Sequence, residues 1–258
     1  MPRSNDPSRR RFLSTLAGGL GAAGAFALAA CGSPNRGGST TAAVPQTADP
    51  STPTPAGGAT VAPLAANGDE ALALLVAGNR RFAADHLERA DDNVDRRLAV
   101  RTSQKPFATI LSCVDSRVLV ELIFDRGFGD LVVVRSAGEV LDKAVTGSLE
   151  FGVAELNTPL LMVLGHQRCG ALTAAVGAYD KKKTDADDLG FLEDALSPAV
   201  QRIAGKPGDR ITNAVLENVA LVRDQLRQSP VIGPLESQGK VKLVGAYYNL
   251  DNGQVQLL

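Results

Sequence analysis

One stretch of the sequence decides the fold: residues 160–170, which read LLMVLGHQRCG. Its first five residues make a short apolar run of the type found in a buried strand. Residues 171–178 follow a helical pattern, so the strand is predicted to lead almost directly into a helix. His166 and Cys169 fall at that junction, and in open α/β sheets binding sites lie at the carboxyl ends of the strands.

Similar apolar runs alternate with helical segments along most of the chain. Near-continuous apolar strands joined through helices are typical of a parallel sheet with helices on both faces. The sequence Asp-Asn-Gly at residues 251–253 is a hairpin signal. We therefore predict an α/β fold with a mainly parallel four-stranded sheet flanked by helices and an antiparallel C-terminal edge strand. The predicted strands are 107–112, 131–134, 160–164, 241–247 and 254–258, and the predicted helices are 69–84 (with Asp69 as N-cap), 94–102, 119–124, 148–156, 171–178 and 213–228.

The overall composition is that of an ordinary globular protein. Of the 258 residues, 44% are hydrophobic and 21% are charged, and the formal net charge is −1. Because the chain has no basic surplus, we expect no nucleic-acid binding and no electrostatic attraction to acidic membranes. The three cysteines are too few for a disulfide framework, and their odd number leaves at least one for another role.

The first thirty residues have the features of an export signal. Arginines at positions 9–11 precede Phe12 and Leu13, and a Gly- and Ala-rich apolar stretch follows from residue 16 to residue 30. This stretch is shorter than the ~20 residues that span a bilayer and it contains glycines, which disfavours a transmembrane helix. The paired arginines resemble the twin-arginine signal, whose machinery exports folded proteins.

The end of the apolar stretch resembles a bacterial lipobox, with the sequence Leu-Ala-Ala-Cys at residues 28–31. The resemblance implies that Cys31 is lipidated and anchors the protein to the outer face of the bacterial cytoplasmic membrane. The alternative is an ordinary signal followed by an incidental cysteine. Residues 31–67 are rich in Ser, Thr, Pro, Ala and Gly, which predicts a disordered linker. We thus predict a signal peptide at 1–30, a lipid-anchored linker at 31–67 and one domain at 68–258.

Two of the predicted strands end in side chains that can bind a metal. Cys113, Asp115 and Arg117 follow the first strand, whereas His166 and Cys169 follow the third. Two thiols and one imidazole suit zinc and leave a fourth coordination position open. The alternatives are a disulfide between the two cysteines and a hydrogen-bonded core histidine. The metal is favoured because the histidine and one cysteine share a loop.

These motifs resemble those of the β-class carbonic anhydrases. The pattern Cys-x-Asp-Ser-Arg at 113–117 is followed after about fifty residues by His-x-x-Cys-Gly at 166–170. The resemblance implies an α/β zinc enzyme that interconverts carbon dioxide and bicarbonate, with one zinc ion per chain. Further matches are AGNRRF at 77–82, QKPF at 104–107, RSAG at 135–138 and VGAYY at 244–248.

The resemblance also implies roles for single residues. Cys113, His166 and Cys169 correspond to the zinc ligands. Asp115 and Arg117 correspond to a dyad in which the arginine holds the carboxylate away from the metal.

Three more positions correspond to substrate-binding residues. Gln104 matches a glutamine that hydrogen-bonds substrate, and the alternative is a solvated loop residue. The amide of Gly170 matches a donor to bicarbonate. Phe151 stands where a tyrosine often lines the cleft, although it could equally be a helix residue packed on the sheet. Two departures, Glu139 for a usual Asn and Leu119-Val120 for a frequent Pro-Pro, are expected to alter loop shape rather than activity.

Two other functions remain open at this stage. One is hydrolysis of carbonyl sulfide or carbon disulfide on the same scaffold, and the other is a non-catalytic lipoprotein that binds zinc or bicarbonate. An intact Asp115–Arg117 pair argues against the second, because a simple metal-binding protein does not need to guard an open coordination position. The resemblance further implies a homodimer or larger homo-oligomer whose cleft lies at the interface between subunits.

Overall fold

A computed structural model describes residues 64–88 and 92–258. The predicted signal peptide, Cys31 and nearly all of the predicted linker lie outside these residues. Within them, five strands form one sheet in the order β2-β1-β3-β4-β5, with the first four parallel and β5 antiparallel to β4. The predicted fold class is therefore confirmed. The strands are β1 (Ala108–Ser112), β2 (Leu131–Arg135), β3 (Leu160–His166), β4 (Lys242–Tyr248) and β5 (Val255–Leu257).

Helices cover both faces of the sheet. They are α1 (Gly68–Ala83), α2 (Val94–Val100), α3 (Val120–Ile123), α4 (Lys143–Glu150), α5 (Gly170–Lys181), α6 (Asp188–Arg202), α7 (Arg210–Arg227) and α8 (Ile232–Ser237). A 3₁₀ turn at Ala137–Glu139 follows β2, and α4 continues as a π-helical segment at Phe151–Glu155. None of the helices in the described part of the chain is long and apolar enough to cross a membrane.

Strand β3 lies in the centre of the sheet, and its packing explains the apolar run at residues 160–164. All seven of its residues are buried. Met162 and Leu164 pack in the cluster that includes residues of α1 and α3, whereas Leu161 and Val163 pack in the cluster that includes residues of α7 and α8. A parallel strand that is covered on both faces has no side on which polar residues would be solvated.

The structure corrects two details of the predicted elements. Asn67, rather than Asp69, caps α1, because its side chain accepts hydrogen bonds from the amides of Asp69 and Glu70. Asp69 lies in the first turn of α1 and forms an ion pair with Lys242 at the start of β4. Helices α6 and α8 lie where the sequence predicts no helix.

Helix α7 lies unusually close to the sheet. A Cβ atom added at Gly165 of β3 would lie 2.7 Å from methyl carbons of Val215 and Val219, and one added at Gly245 of β4 would lie 2.8 Å from Val219. Two neighbouring strands therefore need glycine where α7 crosses them. This close packing brings the middle of α7 towards the end of the sheet at which the predicted site lies.

Candidate metal centre

The three predicted metal ligands lie at the carboxyl ends of β1 and β3. Cys113 directly follows β1, His166 is the last residue of β3, and Cys169 is the N-cap of α5. Because β1 and β3 are adjacent and parallel, their carboxyl ends meet at the same edge of the sheet. We call residues 113–117 the β1 loop and residues 166–170 the β3 loop.

The donor atoms of these three residues form a compact, buried cluster. The two sulfurs and a ring nitrogen of His166 all lie within 4.8 Å of one another. The sulfurs of Cys113 and Cys169 are 4.0 Å apart, and both thiols are free. Tetrahedral zinc with Zn–S bonds of about 2.3 Å would separate two sulfurs by about 3.8 Å. The spacing therefore fits zinc and does not correspond to a formed disulfide.

The orientation of His166 supports the same conclusion. Its Nδ1 lies 3.0 Å from the carbonyl oxygen of Gln167, which can only accept a hydrogen bond, so Nδ1 carries the proton. The lone pair is then on Nε2, which is buried and has no hydrogen-bond partner within the described part of the chain. A buried unpaired nitrogen is costly unless something binds it. A metal ion held with the two sulfurs would satisfy it.

The electrostatics of the cluster favour a thiolate. The hydrogen bond between the two sulfurs lowers the pKa of the Cys113 thiol well below its usual value, with a further contribution from the backbone amide of Gly138. That same hydrogen bond and burial raise the pKa of Cys169 above its usual value. Because the thiolate is the form that binds zinc, these hydrogen bonds favour the form of Cys113 that a ligand requires.

Asp115 and Arg117 form the predicted pair within the β1 loop. The guanidinium of Arg117 donates from Nε to Oδ1 at 2.9 Å and from Nη2 to Oδ2 at 2.8 Å, and the Arg117 amide also donates to Oδ1. These hydrogen bonds hold the pKa of Asp115 well below its usual range. Oδ2 of Asp115 lies 4.0 Å from Nε2 of His166, so the carboxylate is a near neighbour of the metal donors.

A second arginine fixes the backbone of the β1 loop. Arg135, the last residue of β2, donates from Nε to the carbonyl of Cys113 at 2.8 Å and from Nη2 to the carbonyl of Asp115 at 2.7 Å. One planar guanidinium thus holds the backbone of a metal ligand and of the dyad carboxylate together.

The β3 loop is held differently, by the turn between β4 and β5. Asp251 accepts hydrogen bonds from the side chains of Gln167 at 2.9 Å and Arg168 at 2.7 Å. The side-chain carbonyl of Gln167 also accepts from the amide of Leu250. The carbonyl of Arg168 accepts a longer bond of 3.4 Å from Arg117, which joins the two loops.

The predicted substrate-binding residues are more dispersed. Gly170 begins α5 next to Cys169, and no atom lies within 4 Å of the place where a side chain would start. Gln104 is exposed in the segment before β1 and makes no hydrogen bond within the described residues. The side chain of Phe151 is 53% exposed at the end of α4, so it is not packed in the core. Both side chains are therefore available for contacts outside their own chain.

The sequence reasoning missed the position of Glu139. This side chain is fully buried, and burial followed by the charge of Cys113 raises its pKa well above the usual value. The sequence predicts that Glu139 alters only the shape of a loop, whereas the structure buries it beside Gly138, whose amide contacts the Cys113 sulfur. Its neighbour Asn218 was assigned only to a helix. A polar residue between the apolar residues Val215 and Val219 was a signal that could have identified Asn218 as a buried contact.

Comparison with known proteins agrees with this geometry. The carbonic anhydrase family model matches residues 108–255. Carbonic anhydrase 2 of Mycobacterium tuberculosis is 37% identical over 190 residues, which cover 71% of this chain and 89% of that protein.

Solved structures show the same fold. The β-carbonic anhydrase of Coccomyxa, in complex with acetazolamide, superposes with a TM-score of 0.58 at 23% identity, covering 72% of this chain and 86% of that one. A structure described as one of two tetrameric β-carbonic anhydrases of Sordaria macrospora gives a TM-score of 0.56 at 21% identity, covering 61% and 83%.

Proposed function

The chain belongs to the β-class carbonic anhydrase family, and we infer that it catalyses the reversible hydration of carbon dioxide to bicarbonate and a proton. The observation that carries this inference is the convergence of Cys113, His166 and Cys169, with a free Nε2 lone pair, at one edge of the sheet. These three residues would hold one zinc ion per chain. Bound zinc supplies a Lewis acid that lowers the pKa of a coordinated water towards neutrality.

We propose that Asp115 and Arg117 keep the fourth coordination position available. The carboxylate is ionised and lies 4.0 Å from Nε2 of His166, close enough to reach a metal after a small side-chain rotation. Arg117 opposes that rotation because its guanidinium and its amide bind both carboxylate oxygens. In this orientation Asp115 can accept a hydrogen bond from a reacting group in the cleft.

The amide of Gly170 is proposed to bind the substrate. It is one of the first amides of α5, which have no partner inside the helix. Such amides attract anions, and the space where a Gly170 side chain would extend is open. A bicarbonate oxygen could therefore approach this backbone more closely than it could approach a bulkier residue.

We further propose that the cleft is completed by a second copy of the chain. Besides Phe151, the apolar side chains of Val114, Leu119 and Phe128 are 45–54% exposed. Strand β2 is an edge strand, and a free strand edge and exposed apolar side chains are both places where a second chain can pack. A homodimer or larger oligomer would cover this surface and bring Gln104 and Phe151 towards a partner's cleft. Sedimentation analysis that gives the mass of a single chain would contradict this proposal.

The lipid anchor is a separate proposal that rests on residues 28–31. Replacement of Cys31 by Ser should move the protein from the membrane fraction to the soluble fraction, because serine lacks the sulfur atom to which the lipid would be attached. Carbon dioxide hydration should not change, since the metal donors belong to the domain. If the Cys31→Ser protein stays with the membrane, the lipobox interpretation is wrong.

The experiment that tests the activity compares the purified chain with Cys113→Ala. We expect close to one zinc per wild-type chain and rapid hydration in a stopped-flow pH-indicator assay. Cys113→Ala should contain little zinc and show only the uncatalysed rate. Parallel assays with carbonyl sulfide and carbon disulfide decide the substrate. Faster turnover of either compound than of carbon dioxide would overturn the assignment, and zinc without any turnover would favour a binding protein.

A further inference from the structure

Helix α7 carries a buried asparagine that faces the metal centre. Asn218 is 4% exposed, and Val215 and Val219 beside it are fully buried. Its Nδ2 donates to the carbonyl oxygen of Gly138 at 2.8 Å and lies 3.5 Å from Oε2 of Glu139. These contacts join α7 to the turn after β2, across 80 residues of sequence.

The same turn contacts a metal donor from its other side. The backbone amide of Gly138 donates to the sulfur of Cys113 at 3.3 Å. The carbonyl and the amide of Gly138 flank the same α-carbon. Fixing the carbonyl therefore restricts the direction in which the amide points.

The conformation of this turn needs external support. Gly138 and Glu139 are both left-handed, with φ of 62° and 55°. Two successive left-handed residues are unfavourable when one of them has a side chain. A Cβ at residue 138 would also lie 3.0 Å from Leu196 and 3.2 Å from Ala171, so the turn is enclosed by α5 and α6. Inside the turn, the amides of Glu139 and Val140 donate to the carbonyls of Ser136 and Ala137 at 3.2 and 3.4 Å. The shorter bond from Asn218 fixes the Gly138 carbonyl from a separate helix.

We propose that Asn218 is a positioning residue of the metal centre. Through the Gly138 carbonyl it holds the amide that donates to the Cys113 sulfur, and it thereby strengthens the binding of zinc. Amides that hydrogen-bond a ligating sulfur orient its lone pairs and stabilise its negative charge. The inference rests on the zinc centre described above and extends it to a residue on a distant helix.

The test measures zinc affinity rather than turnover. Asn218→Leu removes the donor while keeping a side chain of similar size. The dissociation constant of zinc is measured on the purified full chain by competition with a chromophoric chelator. We expect it to rise about 10-fold, the lower end of the range found when direct partners of metal ligands are removed, because Asn218 acts through the Gly138 backbone. In the cobalt-substituted protein, the thiolate-to-metal charge-transfer band should shift, because the Gly138 amide that donates to the Cys113 sulfur is no longer held in one orientation.

Val222→Ala is the matched control. Val222 is also 4% exposed and lies one helical turn further along α7, in the apolar cluster that contains Leu161 and Val163. This variant should unfold at a lower urea concentration yet keep the zinc affinity and the cobalt spectrum of the wild type. Asn218→Ala also lacks the Nδ2 donor, and the same measurements are made on it if Asn218→Leu does not fold.

Two results would overturn the proposal. One is wild-type zinc affinity in a folded Asn218 variant. The other is an equal loss of affinity in Val222→Ala, which would show that any loosening of α7 weakens the site. A wild-type chain that binds no zinc would instead contradict the metal centre itself.

Discussion

The β1 loop and the β3 loop supply the same metal centre but are held by opposite kinds of side chain. Arginines hold the β1 loop: Arg135 binds its carbonyls and Arg117 binds its carboxylate. A carboxylate holds the β3 loop, because Asp251 binds the side chains of Gln167 and Arg168. The β1 loop contributes one ligand and the dyad, whereas the β3 loop contributes two ligands and no further reactive side chain.

Because of this difference, turnover and zinc binding should respond differently to changes in the two loops. In the β1 loop, an arginine can be removed while all three metal donors stay in place. In the β3 loop, the supporting contacts hold Gln167 and Arg168, the two residues between a pair of metal donors. We therefore expect a change at Arg117 to lower turnover while zinc stays bound. A change in the support of the β3 loop should weaken zinc binding as well as turnover.

The largest effect is expected for Arg117→Ala. Without the guanidinium, Asp115 is free to approach the metal and occupy the position that water needs. Carbon dioxide hydration should fall by about two orders of magnitude or more, while the zinc content stays near one per chain. Metal analysis and stopped-flow hydration on the same preparation separate the two effects. Near-normal turnover with zinc retained would show that the dyad has no gating role.

A smaller effect is expected for Asp251→Ala in the support of the β3 loop. Both partners of the Arg168–Asp251 pair are more than half exposed, and such pairs contribute about 0–1 kcal/mol to stability. The unfolding free energy should therefore change little. Turnover and zinc affinity should each fall several-fold, because Gln167 and Arg168 lie between the two ligands of this loop.

Asp180→Ala provides the matched control for Asp251→Ala. Asp180 forms a similarly exposed two-bond pair with Arg210, away from both loops. It should change neither turnover nor zinc affinity. If the two variants behave alike, Asp251 is only a surface ion-pair partner and the comparison between the loops fails.

The smallest effect on turnover is expected for a change at Glu139, in the turn Ala137–Glu139 that follows β2. The pKa of this carboxyl group is shifted in the opposite direction to that of Asp115. Arg117 lowers the pKa of Asp115, whereas burial raises that of Glu139 well above its ordinary value of 4.5. Above pH 4.5 the unfolded chain releases a proton that native Glu139 keeps. Stability therefore falls as the pH rises from that value towards the native pKa.

Glu139→Gln should remove this dependence. The variant should resemble the wild type at pH 5 and should be more stable at pH 8, because a glutamine side chain ionises in neither the native nor the unfolded state. Urea unfolding of both zinc-loaded proteins at the two pH values measures the difference, and contributions common to both proteins cancel. Parallel pH profiles would mean that Glu139 is ionised in the native state.

The sequence alone determined the sheet and the identity of the metal donors. Apolar runs such as residues 160–164 are local signals, because a strand buried on both faces must be apolar at each position. The donors could be found because cysteine and histidine are scarce here, with three and two residues in the whole chain. Both signals depend on residues close together in the sequence or on residue type.

The tertiary structure alone decided what supports those donors. Asn218 meets Gly138 across 80 residues, and Asp251 meets Arg168 across 83. Neither partner has a residue type that reveals its role, since asparagine in a helix and aspartate in a turn are both common. The burial of Glu139 follows in the same way from the packing of α7 against the sheet. A hydrogen bond between distant segments exists only after the backbone has brought them within about 3 Å, and local sequence patterns do not encode that distance.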